Sequence, residues 1–157
     1  MDNTIIISNK NKLDLKHKNE HPKYEYYKFE VPKTGEKSKV QVSFYEIPPN
    51  KSNYPFHYHL RDEEVFYIIK GKGLLKTFDS EIIVQEGDVI VCPPSPQGAH
   101  MLTNIMSDEN LVYIEFDVTH IPEIVKYPNS EKTGVFEEKG IKAFYKAGTE
   151  VDYYTGE

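Results

Sequence analysis

The stretch HYHLRDEEVFYIIKGKG, residues 57–73, decides the fold and holds the side chains best suited to chemistry. His57 and His59 are two residues apart, so on an extended strand both imidazoles project from the same face and can reach one metal ion. Glu64 begins the strand that follows, where Phe66 and Ile68 share its face. The stretch therefore predicts β-strands that carry a metal site.

Two further observations bear on the remaining ligands. A second stretch, GDVIVCPPSPQGAHMLTN at residues 87–104, supplies His100 four residues before Asn104. Glu63 and Glu64 compete for the acidic position, because they point to opposite faces of a strand and only one can enter a barrel. Three imidazoles and one carboxylate are enough to hold a divalent metal and leave one or two coordination positions open.

The pattern from Val40 onward predicts an all-β fold. Short apolar stretches recur between Gly, Pro, Asn and Asp residues, which is the spacing of a sandwich or barrel. In the first stretch, residues 40, 42 and 44 face one side and residues 41, 43 and 45 face the other, which favours a strand over a helix. Candidate strands lie at 40–47, 65–70, 73–78, 81–84, 88–92, 100–104 and 111–116.

Residues 57–71 resemble the first signature motif of the cupin superfamily. That motif, G-x5-H-x-H-x3–4-E-x6-G, is matched by His57, His59, Glu64 and Gly71, and only its leading Gly is absent, where this chain has Lys. The six-residue spacing to Gly71 favours Glu64 as the ligand. By the same spacing, Glu63 is a solvated charge at the rim.

Residues 87–104 resemble the second cupin motif. That motif, G-x5-P-x-G-x2-H-x3-N, is matched by Gly87, Pro93, His100 and Asn104. The turn between Pro93 and His100 is two residues longer than the usual form. The longer turn affects how far the His100 side chain can reach toward the other ligands. His100 is still the candidate ligand of this motif.

The resemblance implies a double-stranded β-helix, or jelly-roll, barrel with its core at about 40–117. It also implies a four-residue metal ligand set: His57, His59, Glu64 and His100. Asn104 is a motif residue and not a ligand. A weaker likeness in GAHMLTN, YPNSEKTG and VDYYTGE extends to a group of uncharacterised single-domain bacterial cupins.

The chain of 157 residues has the length of one domain. Residues 1–23 are expected to be a flexible N-terminal segment, because 8–23 are rich in Lys and Asn with little periodicity. Residues 24–157 are expected to form a single cupin domain with a C-terminal extension at 118–157. Exposed sheet edges, together with terminal segments rich in Ile, Tyr and Phe such as residues 5–7, predict a homodimer.

Composition excludes several partners. The net charge is −6 and 18 of the 19 basic residues are Lys, so nucleic-acid binding is not expected. The longest apolar runs fall far short of the roughly 20 residues that span a bilayer, which predicts a cytoplasmic protein without membrane contact. The single Cys92 is expected to be structural. His17, His21 and His120 lie outside any ligand spacing and are expected at the surface.

The expected pocket lining and function follow from the barrel. Phe66, either Phe44 or Tyr45, and Tyr113 with Glu115 are candidate lining residues, whereas Tyr58 and Tyr67 should point away. We expect one divalent ion per chain, of Fe, Mn, Ni or Zn, and a small-molecule substrate. Dioxygenase, isomerase and decarboxylase chemistries occur among cupins with this ligand set. The alternative is a non-catalytic module that binds a small anion or sugar through the metal.

Overall fold

Regular structure in this protein consists of β-strands and short 3₁₀ turns. The computed structural model describes residues 4–35, 38–140 and 142–157, so the first three residues of the expected flexible segment lie outside it. The strands are β1 (Leu15–His21), β2 (Tyr24–Glu30), β3 (Val40–Ile47), β4 (Tyr58–His59), β5 (Glu63–Lys70), β6 (Lys72–Lys76), β7 (Glu81–Gln85), β8 (Val89–Cys92), β9 (Met101–Asn104), β10 (Leu111–Val118), β11 (Glu123–Tyr127), β12 (Lys132–Phe136) and β13 (Lys142–Lys146). No helix within these ranges has the length and hydrophobicity needed to cross a membrane.

The strands form three antiparallel sheets. The largest has the order β1-β2-β3-β10-β5-β8, the second has the order β13-β12-β11-β4, and the third has the order β7-β6-β9. An isolated β-bridge between His57 and His100 joins the stretch at residues 57–73 to the stretch at residues 87–104. The prediction of an all-β jelly-roll barrel is confirmed.

The hydrophobic core lies between the six-stranded sheet and the three-stranded sheet. Its residues come from alternate positions of seven strands, which is the period expected when one face of each strand is buried. The core residues are Tyr45, Ile47, Phe66, Ile68, Leu75, Val84, Ile90, Cys92, Leu102, Leu111 and Tyr113. A smaller cluster of Phe56, Ala99 and Met101 lies beside it.

Strand β3 alternates as predicted, but its more polar face is the inner one. Gln41, Ser43 and Tyr45 are buried, whereas Val42 and Phe44 lie half-buried on the outside. Of the two candidates for the pocket, Tyr45 therefore faces inward and Phe44 outward. Tyr45 lines a pocket that is described below, and Gln41 and Ser43 lie opposite Asp117 and Glu115 of β10.

The sequence placed residues 15–21 in a lead-in outside the domain, whereas the structure pairs them with the sheet. Leu15 to Lys18 of β1 pair with Tyr26 to Phe29 of β2. All seven side chains of β1 are exposed, so the strand has no hydrophobic pattern that sequence reasoning could detect. Backbone hydrogen bonds to β2 hold it in place.

Candidate metal centre

Backbone pairing brings the two signature stretches together. The amide of His57 donates to the carbonyl of His100 at 3.2 Å, and the amide of His100 donates back at 2.9 Å. The two ring centroids are 4.8 Å apart, and both residues are buried. The pairing therefore fixes the two imidazoles on one side of the barrel interior.

His59 and Glu64 complete the cluster from neighbouring strands. His59 ends β4 and its Nε2 lies 3.6 Å from Oε1 of Glu64, which is the second residue of β5. The other oxygen of Glu64 lies 3.4 Å from Nε2 of His100. One ligand atom from each of His57, His59 and Glu64 falls within 4.8 Å of the others. The structure thus brings three of the predicted ligands into one group, while His100 lies outside that group and approaches it through Glu64.

Two of the imidazoles are oriented by a backbone carbonyl on the Nδ1 side. His57 Nδ1 lies 2.8 Å from the carbonyl of Pro55, and His100 Nδ1 lies 2.9 Å from the carbonyl of Gly98. Such hydrogen bonds set the tautomer and leave Nε2 as the free lone pair, as in protein metal sites. His59 Nδ1 lies 3.5 Å from Oε1 of Glu123 without a hydrogen bond to it.

The donor set suits a divalent transition metal. His100 Nε2 and Glu64 Oε2 are buried atoms without a hydrogen-bond partner, which is costly unless something binds them. Burial, reinforced by His100 and His59, holds the pKa of His57 well below its usual range, and burial lowers the pKa of His100 to about 4. Both rings are therefore neutral, which is the form that binds a metal.

The lengthened turn before His100 folds so that the ring still reaches the cluster. Its two extra residues are absorbed by a 3₁₀ turn at Pro96–Gly98. Gly98 is required there, because a Cβ at this position would lie 2.0 Å from the carbonyl oxygen of Pro93. The same Gly98 carbonyl accepts from the His100 ring, so the turn both delivers and orients that ligand.

The other histidines and Glu63 lie away from the cluster. Glu63 is exposed, on the face of β5 opposite to Glu64. His17 and His21 are exposed, and His17 Nε2 lies 3.1 Å from Glu25. His120 is half-buried and contacts Asp62 through its backbone amide and its ring.

Asn104 and Cys92 have structural surroundings. The Asn104 side-chain amide donates to the carbonyls of Ile47 and Glu109 at 2.8 and 2.9 Å, and its oxygen accepts from Met106. This residue therefore ties three segments together. Cys92 is buried, and burial together with the charge of Glu64 raises the pKa of its thiol far above the usual range.

A pocket of about 360 Å³ opens onto the cluster. Its walls include the aromatic side chains Tyr45, Tyr54, Tyr127 and Phe136. Phe66 and Tyr113 pack behind it, since Phe66 lies 5.3 Å from the His100 ring and Tyr113 stacks on Tyr45 at 5.0 Å. A larger groove of about 670 Å³ near Leu60 and Ile121 contains none of the predicted ligands.

Two carboxyl groups beyond the predicted ligands face this pocket. Oxygens of Glu115 and Asp117 lie with Glu64 in a group whose members are all within 4.8 Å. Burial raises the pKa of Glu115 well above its usual range, with Asp117 and Glu64 adding to the effect, and burial raises the pKa of Asp117 to about 6. Sequence reasoning named Glu115 but missed Asp117, which the period of two along β10 places on the same face.

Lys28 is the second residue that sequence reasoning missed. It comes from β2, outside the stretch that resembles a cupin core, and is the one Lys or Arg among the described lining residues. Its Nζ lies 5.3 Å from the centre of the Tyr45 ring and 3.8 Å from Glu30. No motif marks it; only the pairing of Lys28 with Tyr45 turns it toward the pocket.

Comparison with known proteins bears on the family of this fold and site. Residues 43–117, just under half of the chain, match the family model of the cupin domain. This match confirms the resemblance to cupins that the two motifs indicated. A curated relative, an uncharacterised protein of Methanocaldococcus jannaschii, is 36% identical over 59 residues, which are 38% of this chain and 46% of that protein. The chain thus spans about half the length of that relative.

Solved structures share the fold at low sequence identity. A sugar phosphate isomerase of the cupin superfamily from Silicibacter pomeroyi superposes with a TM-score of 0.77 and 16% identity, covering 91% of this chain and 94% of that one. A protein of Acidithiobacillus ferrooxidans, proposed to be a sugar phosphate isomerase, superposes with a TM-score of 0.74 and 21% sequence identity over 90% of both chains. A predicted oxalate decarboxylase of Thermotoga maritima superposes with a TM-score of 0.62 and 16% sequence identity, covering 73% of this chain and 100% of that one.

Proposed function

We propose that this protein is a metal-dependent enzyme that isomerises a small hydroxylated carbonyl compound with an anionic end, of the sugar phosphate class. The observation that carries the proposal is the pair of carboxyl groups, Glu115 and Asp117, beside a His and Glu cluster in one pocket. Dioxygenase chemistry needs the metal and dioxygen, whereas an isomerase also needs groups that move a proton between carbons.

The proposed cofactor is one divalent ion per chain, of Fe, Mn, Ni or Zn, held by His57, His59, Glu64 and His100. Imidazole nitrogens with one carboxylate oxygen suit these ions. When bound, such an ion supplies Lewis acidity that polarises the substrate carbonyl.

The proton transfer is assigned to Glu115, with Asp117 beside it. In an aldose to ketose conversion, a base removes the proton on the carbon next to the carbonyl, and an acid returns a proton to the former carbonyl carbon. The former carbonyl oxygen gains a proton as the neighbouring hydroxyl loses one and becomes the new carbonyl. No external oxidant or reductant is needed, because one carbon is oxidised as its neighbour is reduced. A buried carboxyl group facing the substrate can act in both directions.

Lys28 is assigned to the anionic end of the substrate. It is a cationic side chain that faces the pocket, and its side chain is 21% exposed, so it can meet a ligand at the mouth. The names of the two isomerase-type neighbours agree with this substrate class. A phosphate or carboxylate at Lys28 would leave the carbonyl end directed toward the His and Glu cluster.

The proposed isomerisation is tested by measuring the exchange of substrate hydrogen with solvent. Metal-loaded protein in deuterium oxide, incubated with aldose and ketose phosphates, should place deuterium on the carbon next to the carbonyl, as detected by NMR, and a chelator should abolish it. Oxygen uptake with 2-oxo acids or catechols, without exchange, would contradict isomerisation. Ligand binding without turnover would favour the binding module.

A further inference from the structure

His59 lies in a sheet that is otherwise built from the C-terminal part of the chain. Strand β4 carries His59 at the edge of the sheet β13-β12-β11-β4, and the other three strands all come from residues 123–146. His59 pairs with Val125 of β11, and the amide of Leu60 donates to the carbonyl of Ile124 at 3.0 Å. The position of this predicted ligand therefore depends on residues outside the part of the chain that matches the cupin domain model.

Glu123, the first residue of β11, holds the loop that follows His59. Its side chain is 3% exposed, and its Oε1 accepts from the amide of Leu60 at 2.9 Å and from the amide of Arg61 at 3.2 Å. Within the described ranges, the His59 ring is the only basic side chain within 4.0 Å of this carboxyl group. A buried carboxylate is costly unless it is paired, which makes His59 its natural partner.

His59 and Glu123 each have a buried polar atom that lacks a hydrogen-bond partner. These atoms are Nδ1 of His59 and Oε2 of Glu123, and Nδ1 lies 3.5 Å from the other carboxyl oxygen, Oε1. That separation is about 0.5 Å longer than the usual N–H···O distance. Leaving both atoms unpartnered destabilises the folded state, whereas a small rotation of either side chain would join them.

His59 is the one predicted imidazole ligand with a carboxyl group on its Nδ1 side. His57 and His100 have backbone carbonyls there. A histidine that binds a metal usually donates its other ring N–H to a carbonyl or carboxylate, which fixes the ring and raises the basicity of the ligating nitrogen. A carboxylate does this more strongly than a carbonyl, because its hydrogen bond is charge-assisted.

We propose that Glu123 is a positioning residue of the metal centre, and that Nδ1–H of His59 donates to its carboxylate in the metal-loaded protein. Nε2 of His59, which lies on the side of Glu64, is then the ligating nitrogen. This role rests on the metal site of the proposed function and not on its reaction. The competing role is a purely structural one, in which Glu123 only holds the backbone of residues 60–61.

The first test detects the His59 Nδ1 proton directly. The full wild-type chain is loaded with Zn²⁺, and its imidazoles are observed by ¹H–¹⁵N NMR. We expect a proton on Nδ1 of His59 that lies downfield and exchanges slowly with solvent, and an Nε2 without a proton. A proton on Nε2 instead, or an Nδ1 proton that exchanges as fast as that of an exposed histidine, would overturn the positioning role. This measurement does not depend on the folding of any variant.

The second test removes the charge and keeps the loop contacts. Glu123→Gln retains an oxygen that can accept from the two loop amides, so the free energy of unfolding without metal should stay near that of the wild type. Its Zn²⁺ affinity, measured by competition with a chelator, should fall about tenfold or more. The Nδ1 proton of His59 should also move upfield and exchange faster.

Two control variants separate the positioning role from the structural one. Arg61→Ala removes a side-chain hydrogen bond of 2.9 Å to the carbonyl of Pro122, which loosens the same loop without changing the charge beside His59. Glu137→Gln makes the same chemical change at an exposed position of the C-terminal part. Both variants should bind Zn²⁺ as tightly as the wild type.

The outcomes are distinguishable once circular dichroism has checked the fold of each variant. Equal Zn²⁺ affinity in Glu123→Gln and the wild type would overturn the positioning role and leave the metal site in place. An equal loss of affinity in Arg61→Ala would also overturn it, because order in the loop would then set the affinity. A wild type that binds no Zn²⁺ would overturn both this role and the proposed cofactor.

Discussion

At the residue scale, the cluster is defined by how its imidazoles are held. His57 and His100 use Nδ1 to contact the carbonyls of Pro55 and Gly98, so Nε2 of each ring is directed inward. Glu64 lies within 3.6 Å of His59 and within 3.4 Å of His100. His57, His59 and Glu64 already offer ligand atoms within 4.8 Å of one another, and His100 approaches the same carboxylate.

The first prediction concerns metal content. Purified protein should carry close to one divalent ion per chain by elemental analysis, and His57→Ala with His100→Ala should reduce this to near zero, because two of the four donors are lost. His17→Ala with His21→Ala removes two exposed imidazoles outside the cluster and should leave metal content unchanged. Equal metal content in both variants would contradict the assignment.

The second prediction separates proton transfer from metal binding. Glu115→Gln keeps the size of the side chain but cannot accept a proton from carbon, so we expect turnover and solvent deuterium exchange to fall by about a hundredfold or more. Metal content should stay at the wild-type level. Glu63→Gln, the same change at an exposed position, should alter neither quantity. Retained turnover in Glu115→Gln would remove Glu115 from the proton-transfer role.

Individual side chains differ in how far the sequence could predict them. The two motifs predicted the cluster because the spacing of their residues reflects the geometry of the strands that carry them. That Glu63 and Glu64 lie on opposite faces follows from the two-residue period of a strand alone. Asp117 could have been found from the strand period, because it is two residues beyond Glu115 on β10. Lys28 could not be found in this way, because its position depends on β2 lying beside β3.

At the element scale, the turn at Pro96–Gly98 holds the two residues that the usual cupin motif lacks, and it leads directly to His100. The third prediction is that Gly98→Ala lowers folding stability by about 1–3 kcal/mol, because the new Cβ would clash with Pro93, as overpacking does elsewhere. It should also weaken metal binding, since the Gly98 carbonyl orients His100. Denaturant unfolding and metal titration measure the two effects.

Gln97→Ala is the control for this turn. Gln97 is exposed and lies in the same turn, so its truncation should change stability by less than about 0.5 kcal/mol and leave metal affinity intact. If Gly98→Ala behaves like Gln97→Ala, the turn does not control the placement of His100.

Strands were predictable where one face is buried and the other is not. The stretch at 40–47 coincides with β3, and the stretch beginning at residue 111 runs two residues further as β10. Strands β11, β12 and β13 lie beyond the last predicted stretch. Strands β1 and β2 were not predicted either, because the side chains of β1 are all exposed and those of β2 are all half-buried, so neither alternates. Their pairing comes from backbone hydrogen bonds, which leave no pattern in the sequence.

At the scale of the whole molecule, the site and the fold depend on the same long-range pairing. The ligands come from the bridge at His57, from β4, from β5 and from the residue before β9, and the three sheets must be assembled before they meet. An unfolded chain cannot present the four donors at this geometry. Metal binding should therefore be tied to the folded state, and its free energy should appear as stability.

The fourth prediction follows from this linkage. A free metal concentration one hundred times the dissociation constant stabilises the folded state by about 2.7 kcal/mol. For a chain of this length, that should raise Tm by roughly 5–10 °C, since each kcal/mol shifts Tm by about 2–4 °C. Calorimetry with and without metal measures the shift, and the His57→Ala/His100→Ala variant should show almost none. An equal shift in both proteins would mean that the ion binds elsewhere, because only the wild type has all four donors on the assembled sheets.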